Sequence, residues 1–460
     1  MKWVLLVSVG PVQDFILTAR KCQDLWYGSW LLSELARATA SHLAEKLGDD
    51  ALVFPAGVTG GAATGELPRE VANKIMVTLE GDAAQVRALA ESARAVMMAR
   101  LRTERDAVFE AVGRGDPERS QHFLIQEARD QVDELIEFYW VATPFGDGDY
   151  ASARSEAERL LAARKNTRNW AQPSWARPVP KSSLDGVRES VLHESVYGGR
   201  DGQGGVAPAQ RLQWYGTDRA ERLSGIDVLK RMGFDRLYRP LDPKGSARRS
   251  WHFKRGRCRF ASTQHLAALP WMIQVDAAAM TLPTIATAWA RYCDALDALA
   301  PGLLSRYAVA PLRDADWLFG DVDGTLLQEN GLADAVAELV GGEALARTQR
   351  GAEEARKAFL DAVWAATKRA TPPELQPYYA ILLADGDRMG AVIDHARQHS
   401  THQAISAALA GFAEKVGDIV RERHGSLVYS GGDDVLALLP VHTALDCVAT
   451  LHDVFWGAMQ

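Results

Sequence analysis

Two short acidic signatures near the end of the chain constrain its fold more than any other feature. Residues 378–387 read Tyr-Tyr-Ala-Ile-Leu-Leu-Ala-Asp-Gly-Asp, and residues 427–438 read Leu-Val-Tyr-Ser-Gly-Gly-Asp-Asp-Val-Leu-Ala-Leu. Paired glycines between alternating apolar runs are typical of a β-hairpin. The second signature therefore predicts a hairpin whose turn is Gly431-Gly432-Asp433-Asp434, and the first predicts a strand that ends at Asp385.

The segment between the signatures predicts how they come together. Its apolar residues recur at the spacing of one helix face, at Ile405, Leu409, Phe412, Val416 and Ile419. A strand, a crossover helix and a hairpin make most of a ferredoxin-like sheet. Such a layout places Asp385, Asp433 and Asp434 at one edge of that sheet.

Carboxylates gathered at one sheet edge repel one another unless cations neutralise them. Mg²⁺ is typically shared between a few carboxylates and substrate phosphates, and a pair of such ions can clamp an in-line displacement at phosphorus. We therefore expect Asp385, Asp433 and Asp434 to bind Mg²⁺ or Mn²⁺ and to be the catalytic residues of nucleotidyl transfer. Gly431 and Gly432, without side chains, would let a triphosphate approach the backbone.

Composition describes an ordinary globular chain. The 460 residues are enough for several domains. With 52 basic and 59 acidic residues the net charge is −7, so any nucleic-acid contact must be local. The four cysteines form no Cys-x-x-Cys pair, which argues against a zinc ribbon or a disulfide framework and fits a reducing cytoplasm. No apolar run approaches transmembrane length, so we expect no membrane contact.

The N-terminal part predicts a second sheet of the same kind, since strand, helix, strand, strand is the opening of a ferredoxin-like unit. The predicted strands are 3–9, 52–55 and 75–79, and the predicted helices are 31–47, 82–112, 116–140, 282–299 and 333–368. Tryptophans with apolar neighbours, such as Trp271, Trp289 and Trp364, are expected in the core.

Five segments recur in an order known from one protein family. They are Val-Ser-Val-Gly-Pro-Val-Gln-Asp-Phe-Ile at 7–16 with Ala-Arg-Lys at 19–21, Asp-Leu-Trp-Tyr-Gly-Ser-Trp-Leu-Leu at 24–32, Lys-Ser-Ser-Leu-Asp-Gly-Val-Arg-Glu-Ser at 181–190, the Asp-Gly-Asp strand continued to Gly390, and the Gly-Gly-Asp-Asp hairpin. With them the chain resembles the large, palm-containing subunit of type III CRISPR effector complexes, in its Cmr (type III-B) form.

The resemblance implies conversion of ATP into cyclic oligoadenylate, a second messenger, when the complex binds target RNA. By position, Asp385, Asp433 and Asp434 match the metal-binding acids of the family. Asp387 is a further candidate, provided that the strand stays regular past Gly386. The implied partners are ATP, the other Cmr subunits, a guide CRISPR RNA and a target RNA, all in the cytoplasm.

Ser8, Gly10 and Gln13 match the nucleotide-contacting loop of the family's first palm. A strand-to-helix turn with free backbone amides near a helix N-terminus favours phosphate. A plain Gly-Pro helix start explains the same residues equally well.

The implied fold is α+β, with two ferredoxin-like palms joined by helical segments. The expected divisions are 1–115 for the N-terminal part of the first palm, 116–200 for a helical segment with the Lys-Ser-Ser-Leu-Asp-Gly loop, 201–265 for a zinc-ribbon equivalent without cysteine ligands and the end of the first palm, 266–370 for a helical domain and 371–460 for the second palm. The chain stops at Gln460, one strand short of a full second palm, so this palm is expected to be truncated.

Two further departures from the family are visible. The chain begins directly at the first palm, without a histidine–aspartate nuclease domain, and His452-Asp453 lies on a predicted helix in the wrong place. The segment from Glu221 to Arg231 resembles the end of the family's zinc ribbon but has no cysteine, so apolar packing is expected there and no zinc.

Several alternatives stay open. The hairpin acids are solvated and incidental in one of them, and the chain is a non-catalytic scaffold subunit in another. A stand-alone diguanylate-type cyclase is a third alternative. Val435 speaks against it, because such cyclases usually have phenylalanine at this position. Asp321-Val322-Asp323-Gly324-Thr325 matches the opening signature of haloacid-dehalogenase-type phosphatases, although a turn that caps the next helix fits it better.

Two polar segments have competing interpretations. Lys244 to Arg259 interleaves basic residues with Trp251, His252 and Phe253, which suits RNA or a neighbouring subunit but also a solvated hairpin. Lys181 to Arg188 is either a phosphate- or RNA-facing loop or a self-hydrogen-bonded Ser/Asp turn.

Overall fold

A computed structural model describes residues 1–56, 71–113, 117–146, 149–167, 178–198, 205–217, 221–238, 260–309, 317–367 and 375–460. Within these ranges the chain is α+β, and its strands form two antiparallel sheets. The strands are β1 (Lys2–Gly10), β2 (Leu52–Phe54), β3 (Lys74–Glu80), β4 (Glu137–Phe145), β5 (Tyr379–Ala384), β6 (Ser426–Gly431) and β7 (Asp434–Pro440).

The α-helices of the described ranges fall between and around these strands. They are α1 (Gln13–Leu17), α2 (Cys22–Leu47), α3 (Ala83–Gly113), α4 (Pro117–Gln121), α5 (Ile125–Asp133), α6 (Tyr150–Asn166), α7 (Pro208–Tyr215), α8 (Gly225–Tyr238), α9 (Thr263–Ala279), α10 (Pro283–Leu299), α11 (Leu303–Arg306), α12 (Glu329–Leu339), α13 (Ala344–Ala366), α14 (Met389–His395), α15 (His399–Glu422) and α16 (Val441–Ala458). None of them combines the length and apolar character that a membrane crossing requires.

The first unit, from β1 to α6, is built around a sheet with the strand order β2-β3-β1-β4. This order, with helices in both crossovers, is that of a ferredoxin-like sheet. Its central strand β1 is apolar from Trp3 to Val7, as expected of a strand that is covered on both faces. Leu5 and Val7 join the core with α2 and α3, and Val4 and Leu6 join the core with α6.

The prediction of helix over 116–140 is wrong at its C-terminal end. Helices α4 and α5 stop at Asp133, and Glu137–Phe145 is β4, which pairs with β1 along its whole length. Phe138, Tyr139, Trp140 and Val141 are aromatic or β-branched, and residues of these types favour a strand that packs on a sheet. The first sheet therefore continues past residue 115.

Helices α9, α10, α12 and α13 form a core between the two units. Trp271 and Trp289 are buried there against Phe319 and Phe359, as expected. Trp364 is 53% exposed, so it is not the core residue that its apolar neighbours suggested. The predicted helix 333–368 is two helices, because Gly342 takes a positive φ of 64° between α12 and α13.

The second unit, from β5 to α16, carries the acidic signatures. Its sheet has the order β5-β7-β6, with α14 and α15 in the crossover and a tight hairpin between β6 and β7, as predicted. One face of the sheet packs on α15 and α16 through Leu382, Val435, Ala437 and Leu439. Part of the other face packs on the core of α9.

Helix α15 also joins the second unit to the first. Gln403 donates a hydrogen bond from Nε2 to the carbonyl oxygen of Leu52 in β2, at 2.9 Å. At the preceding residue, Nδ1 of His402 is hydrogen-bonded to Oη of Tyr150 on α6, at 2.9 Å. Both His402 and Tyr150 are buried, so this contact is part of the interior rather than a surface bridge.

The segment expected to replace a zinc ribbon by apolar packing is held by buried charges as well. Leu223 and Leu229 are buried, as that expectation requires. However, the guanidinium of Arg231 on α8 also contacts both carboxylate oxygens of Asp24 at 2.9 and 3.0 Å, and Glu221 at 3.2 Å. Apolar packing alone is therefore the wrong description, since these groups need each other's charge in the interior.

Candidate active site

The acids of the two signatures meet at one end of the second sheet. Strand β5 lies beside β7 with Ala384 opposite Val435, so Asp385 and Asp434 continue the same register at the strand ends. Asp433 lies in the hairpin turn. A β-carbon on Gly386 would lie 2.8 Å from Cβ of Asp433, so the chain after β5 passes directly against the hairpin. The predicted convergence of the three acids is present.

The acids perturb one another's protonation. Burial raises the pKa of Asp434 to about 6, together with a hydrogen bond to the Asp385 side chain and repulsion from Asp433 and Asp385. Burial and the Asp385 charge also raise the pKa of Asp433, while the backbone amides of Asp433 and Gly386 oppose that rise. Two carboxyl groups can share a hydrogen bond only when one of them carries a proton. Near neutral pH the site therefore needs positive charge from elsewhere.

The donor set fits a hard divalent cation that other ligands complete. Within the described ranges, no group of three or more His, Cys, Asp or Glu side chains is arranged to hold a metal ion unaided. Mg²⁺ in nucleotide sites is usually bound by one or two carboxylates, with phosphate oxygens and water filling its octahedron. Asp385 and Asp434 supply such a pair, and Asp433 lies beside them.

Comparison with known proteins finds a matching family model at each end of the chain. Residues 4–98 match the family model described as CRISPR-associated protein Cmr2, N-terminal, and residues 378–460 match Cas10/Cmr2, second palm domain. The chain is Cmr2-like. It is also 25% identical to the CRISPR system Cmr subunit Cmr2 of Pyrococcus furiosus, in an alignment that covers 99% of this chain and 55% of that protein.

Solved structures resemble the Cmr2-like chain over nearly its whole length. A type III-B Cmr-beta complex in the apo state contains a chain with a TM-score of 0.56 and 13% identity, covering 98% of this chain and 61% of that one. The same type of complex bound to cognate target RNA gives a TM-score of 0.59 at 13% identity, with 98% and 62% covered. At this identity the likeness concerns the fold. The Cmr2-like chain spans little more than half of its Pyrococcus furiosus relative.

The two glycines of the Cmr2-like hairpin differ in their surroundings. Gly432 has a positive φ of 78° and nothing within 4 Å of the place where a side chain would start, so its backbone is open to a ligand. The phenol group of Tyr429 occupies the corresponding place beside Gly431. Gly431 is therefore explained by packing against Tyr429. Both glycines were expected to let a triphosphate approach the backbone, and the structure leaves room for this at Gly432.

Asp387 lies outside the group formed by the other acids. Strand β5 ends at Ala384, and Arg388 takes a left-handed φ of 57°, so the chain is not a regular strand past Gly386. Asp387 is exposed and does not contribute to the pKa shift of Asp433 or Asp434. The condition on which its assignment depended is not met.

Ser8, Gly10 and Gln13 lie on the first unit of the Cmr2-like chain. Ser8 is buried in β1, paired with Lys74 and Tyr139 on the neighbouring strands, and Gly10 is the last residue of β1. Gln13 is exposed at the start of the short helix α1. Among the described residues, no hydrogen bond or ion pair joins these three to the acids of the second unit.

The phosphatase-like motif has a structural role. Asp323 is buried, and its Oδ1 accepts hydrogen bonds from the amide of Thr325 and the hydroxyl of Ser262, each at 2.8 Å. It thus caps a short 3₁₀ helix at 324–327, as the alternative reading of the motif predicted. In the described ranges all strand pairing is antiparallel, unlike the parallel sheet of that phosphatase fold.

The Lys-Ser-Ser-Leu-Asp-Gly loop is also held from within. Ser182 is buried, accepts the amides of Leu184 and Asp185, and donates to Asp227 on α8 at 2.7 Å. Asp185 accepts the amide of Arg188 at 3.0 Å. The loop is therefore the self-bonded turn that was one of its two interpretations. The basic segment 244–259 lies outside the described residues.

Sequence reasoning missed one feature of the site. Ile381 and Leu383, on the strand that leads to Asp385, are 64% and 79% exposed. An uninterrupted apolar strand predicts burial on both faces, so no signal in the sequence identifies these two as surface residues.

Proposed function

We propose that this chain is the nucleotidyl-transfer subunit of a type III-B CRISPR complex and converts ATP into cyclic oligoadenylate. The observation that carries the proposal is the meeting of Asp385 with Asp433 and Asp434. Burial and mutual repulsion raise the pKa of both hairpin acids. Such a group gains most when a cation replaces its shared proton. The Cmr2-like family matches at both ends of the chain support the same assignment.

The reaction joins two nucleotides. The O3′ atom of one ATP attacks the α-phosphorus of the next, a new O3′–P bond forms, the bond to the β-phosphate oxygen breaks, and pyrophosphate leaves while the hydroxyl proton passes to solvent. Asp385 and Asp434 would hold Mg²⁺ or Mn²⁺, with Asp433 as the neighbouring ligand. The bound ion supplies Lewis acidity and neutralises charge that develops on the phosphates.

The protein contributes position as well as ligands. The backbone at Gly432 is open, so the phosphates can lie against the hairpin turn without meeting a side chain. Asp434 is the first residue of β7 and Asp385 directly follows β5, so two paired strands hold these acids at a fixed separation as the substrate binds. Orientation of this kind accounts for much of the rate in phosphoryl transfer.

We further infer that the two α+β units are both palms. They share the order of their first three strands, with β1, β2 and β3 corresponding to β5, β6 and β7. In this arrangement Ser8, Gly10 and Gln13 would contact the second nucleotide. The partners would be the other Cmr subunits, a guide RNA and a target RNA in the cytoplasm, because the relatives are Cmr components and one solved complex is bound to target RNA.

A non-catalytic scaffold is the second candidate. It is favoured by the finding that no trio of described side chains is poised around a metal, and by the Tyr429 phenol that covers Gly431. In this case the fold would serve assembly, and the acids would be a remnant of an active ancestor.

Reconstitution separates the candidates. The chain is assembled with Cmr subunits, guide RNA and target RNA, and incubated with ATP and Mg²⁺ or Mn²⁺. Oligoadenylate that disappears in the double variant Asp433→Ala/Asp434→Ala supports catalysis. The matched control is Asp453→Ala, an acid whose side chain is 82% exposed on α16. Normal assembly without any oligoadenylate in the wild type supports the scaffold.

A further inference from the structure

Strand β5 presents two large apolar side chains to solvent. Leu383 is 79% exposed and Ile381 is 64% exposed, whereas Leu382 between them is buried against α15 and α16. Large apolar groups exposed side by side on a sheet face mark an interaction site more often than isolated ones do. What occupies this face is decided by what lies next to it.

The register places these side chains on the face that carries the acids. Alternate residues of a strand point to the same face, so Ile381 and Leu383 share a face with the position of Asp385. Across the strand pair, Leu383 lies opposite Leu436 and Ile381 opposite Leu438. Along this face the order is therefore a carboxylate pair, then two apolar pairs.

We propose that Leu383 and Ile381 form the surface on which the base of the nucleotide lies, while the phosphates are held at Asp385 and Asp434. This inference rests on the proposed function and specifies how the same site holds its substrate. At about 3.4 Å per residue, Leu383 is roughly 7 Å from Asp385 along the strand and Ile381 roughly 14 Å. A nucleoside extends over this range from its α-phosphate.

Charge favours a nucleotide over a stretch of polypeptide as the occupant. A polypeptide laid on this face would remove water from the carboxylates of Asp385 and Asp434, which lie at the end of the same face, and would bring no cation to replace that water. A nucleoside triphosphate brings its divalent cation to those carboxyl groups, and its base brings an apolar ring to Leu383. Contact through apolar side chains alone also selects the flat face of a base without reading its edge.

Binding measurements test the proposal on the whole chain. The affinities of ATP and of inorganic tripolyphosphate are measured with Mn²⁺ by calorimetry, for the wild type, Leu383→Ser and Ile381→Ser. We expect each substitution to weaken ATP binding about three- to tenfold, because apolar area is lost, and to leave tripolyphosphate binding unchanged. Leu445→Ser is the matched control, since Leu445 is 84% exposed on α16, away from the acids.

The outcomes are distinguishable. If tripolyphosphate and ATP both bind and Leu383→Ser leaves both affinities unchanged, the proposal that the base lies on Leu383 is wrong, while the proposed function stands. Equal weakening of both ligands would also overturn it, because the phosphate site itself would have changed. A wild type that binds neither ligand would remove the proposed function and this inference together. Thermal melting of each variant verifies that its fold is intact.

Discussion

Tyr150 and His402 are joined by a buried hydrogen bond of 2.9 Å, although 252 positions separate them in the chain. Their contact places α15 of the second unit against α6 of the first. Burial lowers the pKa of His402 to about 4, with the positive charges of Arg154 and Lys74 and the His399 ring in the same direction and Glu158 opposing. The histidine is therefore neutral in the folded protein at physiological pH.

Acidification should loosen this contact. Unfolded, His402 has an ordinary pKa of about 6.5, so between pH 6.5 and 4 the unfolded chain binds a proton that the folded chain does not. The free energy of unfolding should fall as the pH drops through this window, by about 1–3 kcal/mol at its lower end. Urea unfolding at pH 7.5, 5.5 and 4.5 measures it. His402→Gln should reduce the pH dependence of the free energy of unfolding. If that dependence is unchanged in the variant, it comes from other groups.

Removal of one acid should stabilise the metal-free protein. Because the folded pKa of Asp434 is raised, stability is fully present below the unfolded value near 3.8 and is lost as pH rises through 6. At pH 8, Asp434→Asn should therefore raise stability by about 1 kcal/mol once solvent screening is included, or about 2 °C in melting temperature. Mn²⁺ should raise the melting temperature of the wild type and not of Asp434→Asn. The opposite order would mean that the acids do not repel.

The buried pair of Asp24 and Arg231 should respond very differently to single and double substitution. Arg231→Ala leaves Asp24 charged in the interior and should cost about 3–5 kcal/mol. Asp24→Leu combined with Arg231→Met removes both charges and should restore part of that loss, since the buried Glu221 loses Arg231 but keeps its ion pair with Arg20. Urea unfolding of the wild type, both singles and the double gives the coupling energy. If the double loses as much as the two singles added together, the pair is not coupled.

The Lys-Ser-Ser-Leu-Asp-Gly loop should contribute to the stability of the fold and not to RNA binding. Ser182→Ala removes the 2.7 Å hydrogen bond to the buried Asp227 carboxylate and should cost about 1–3 kcal/mol. RNA binding by the reconstituted complex, measured by gel shift below the melting temperature, should stay unchanged. Ser155→Ala, at an exposed position of α6, is the control for the fold. Loss of RNA binding in a folded Ser182→Ala protein would revive the RNA-facing interpretation.

Local patterns were enough to predict the elements that bring the acids together. The apolar run before Asp385, the helical spacing from Ile405 to Ile419 and the paired glycines before Asp433 each act over a few residues. The strand-helix-hairpin order then leaves one arrangement for the acids. Their convergence could therefore be predicted without any knowledge of distant contacts.

Other features depend on partners far away in the chain. Residues 137–140 were predicted to be helical because the charged stretch before them favours a helix, and pairing with β1 makes them a strand instead. Arg231 contacts Asp24 although 207 positions separate them in the chain, and no local sequence pattern predicts this pair. The Leu383 side chain is 79% exposed, although part of the same sheet face packs on α9, and an apolar strand sequence does not reveal this difference.

Helix α15 has two structural roles in this fold. It is the crossover that sets the distance between the strand of Asp385 and the hairpin of Asp433, and it is also bonded through His402 and Gln403 to the first unit. Any rotation of one unit against the other must break those bonds or drag the crossover with it. The distance between the acids is thus coupled to the orientation of the first unit.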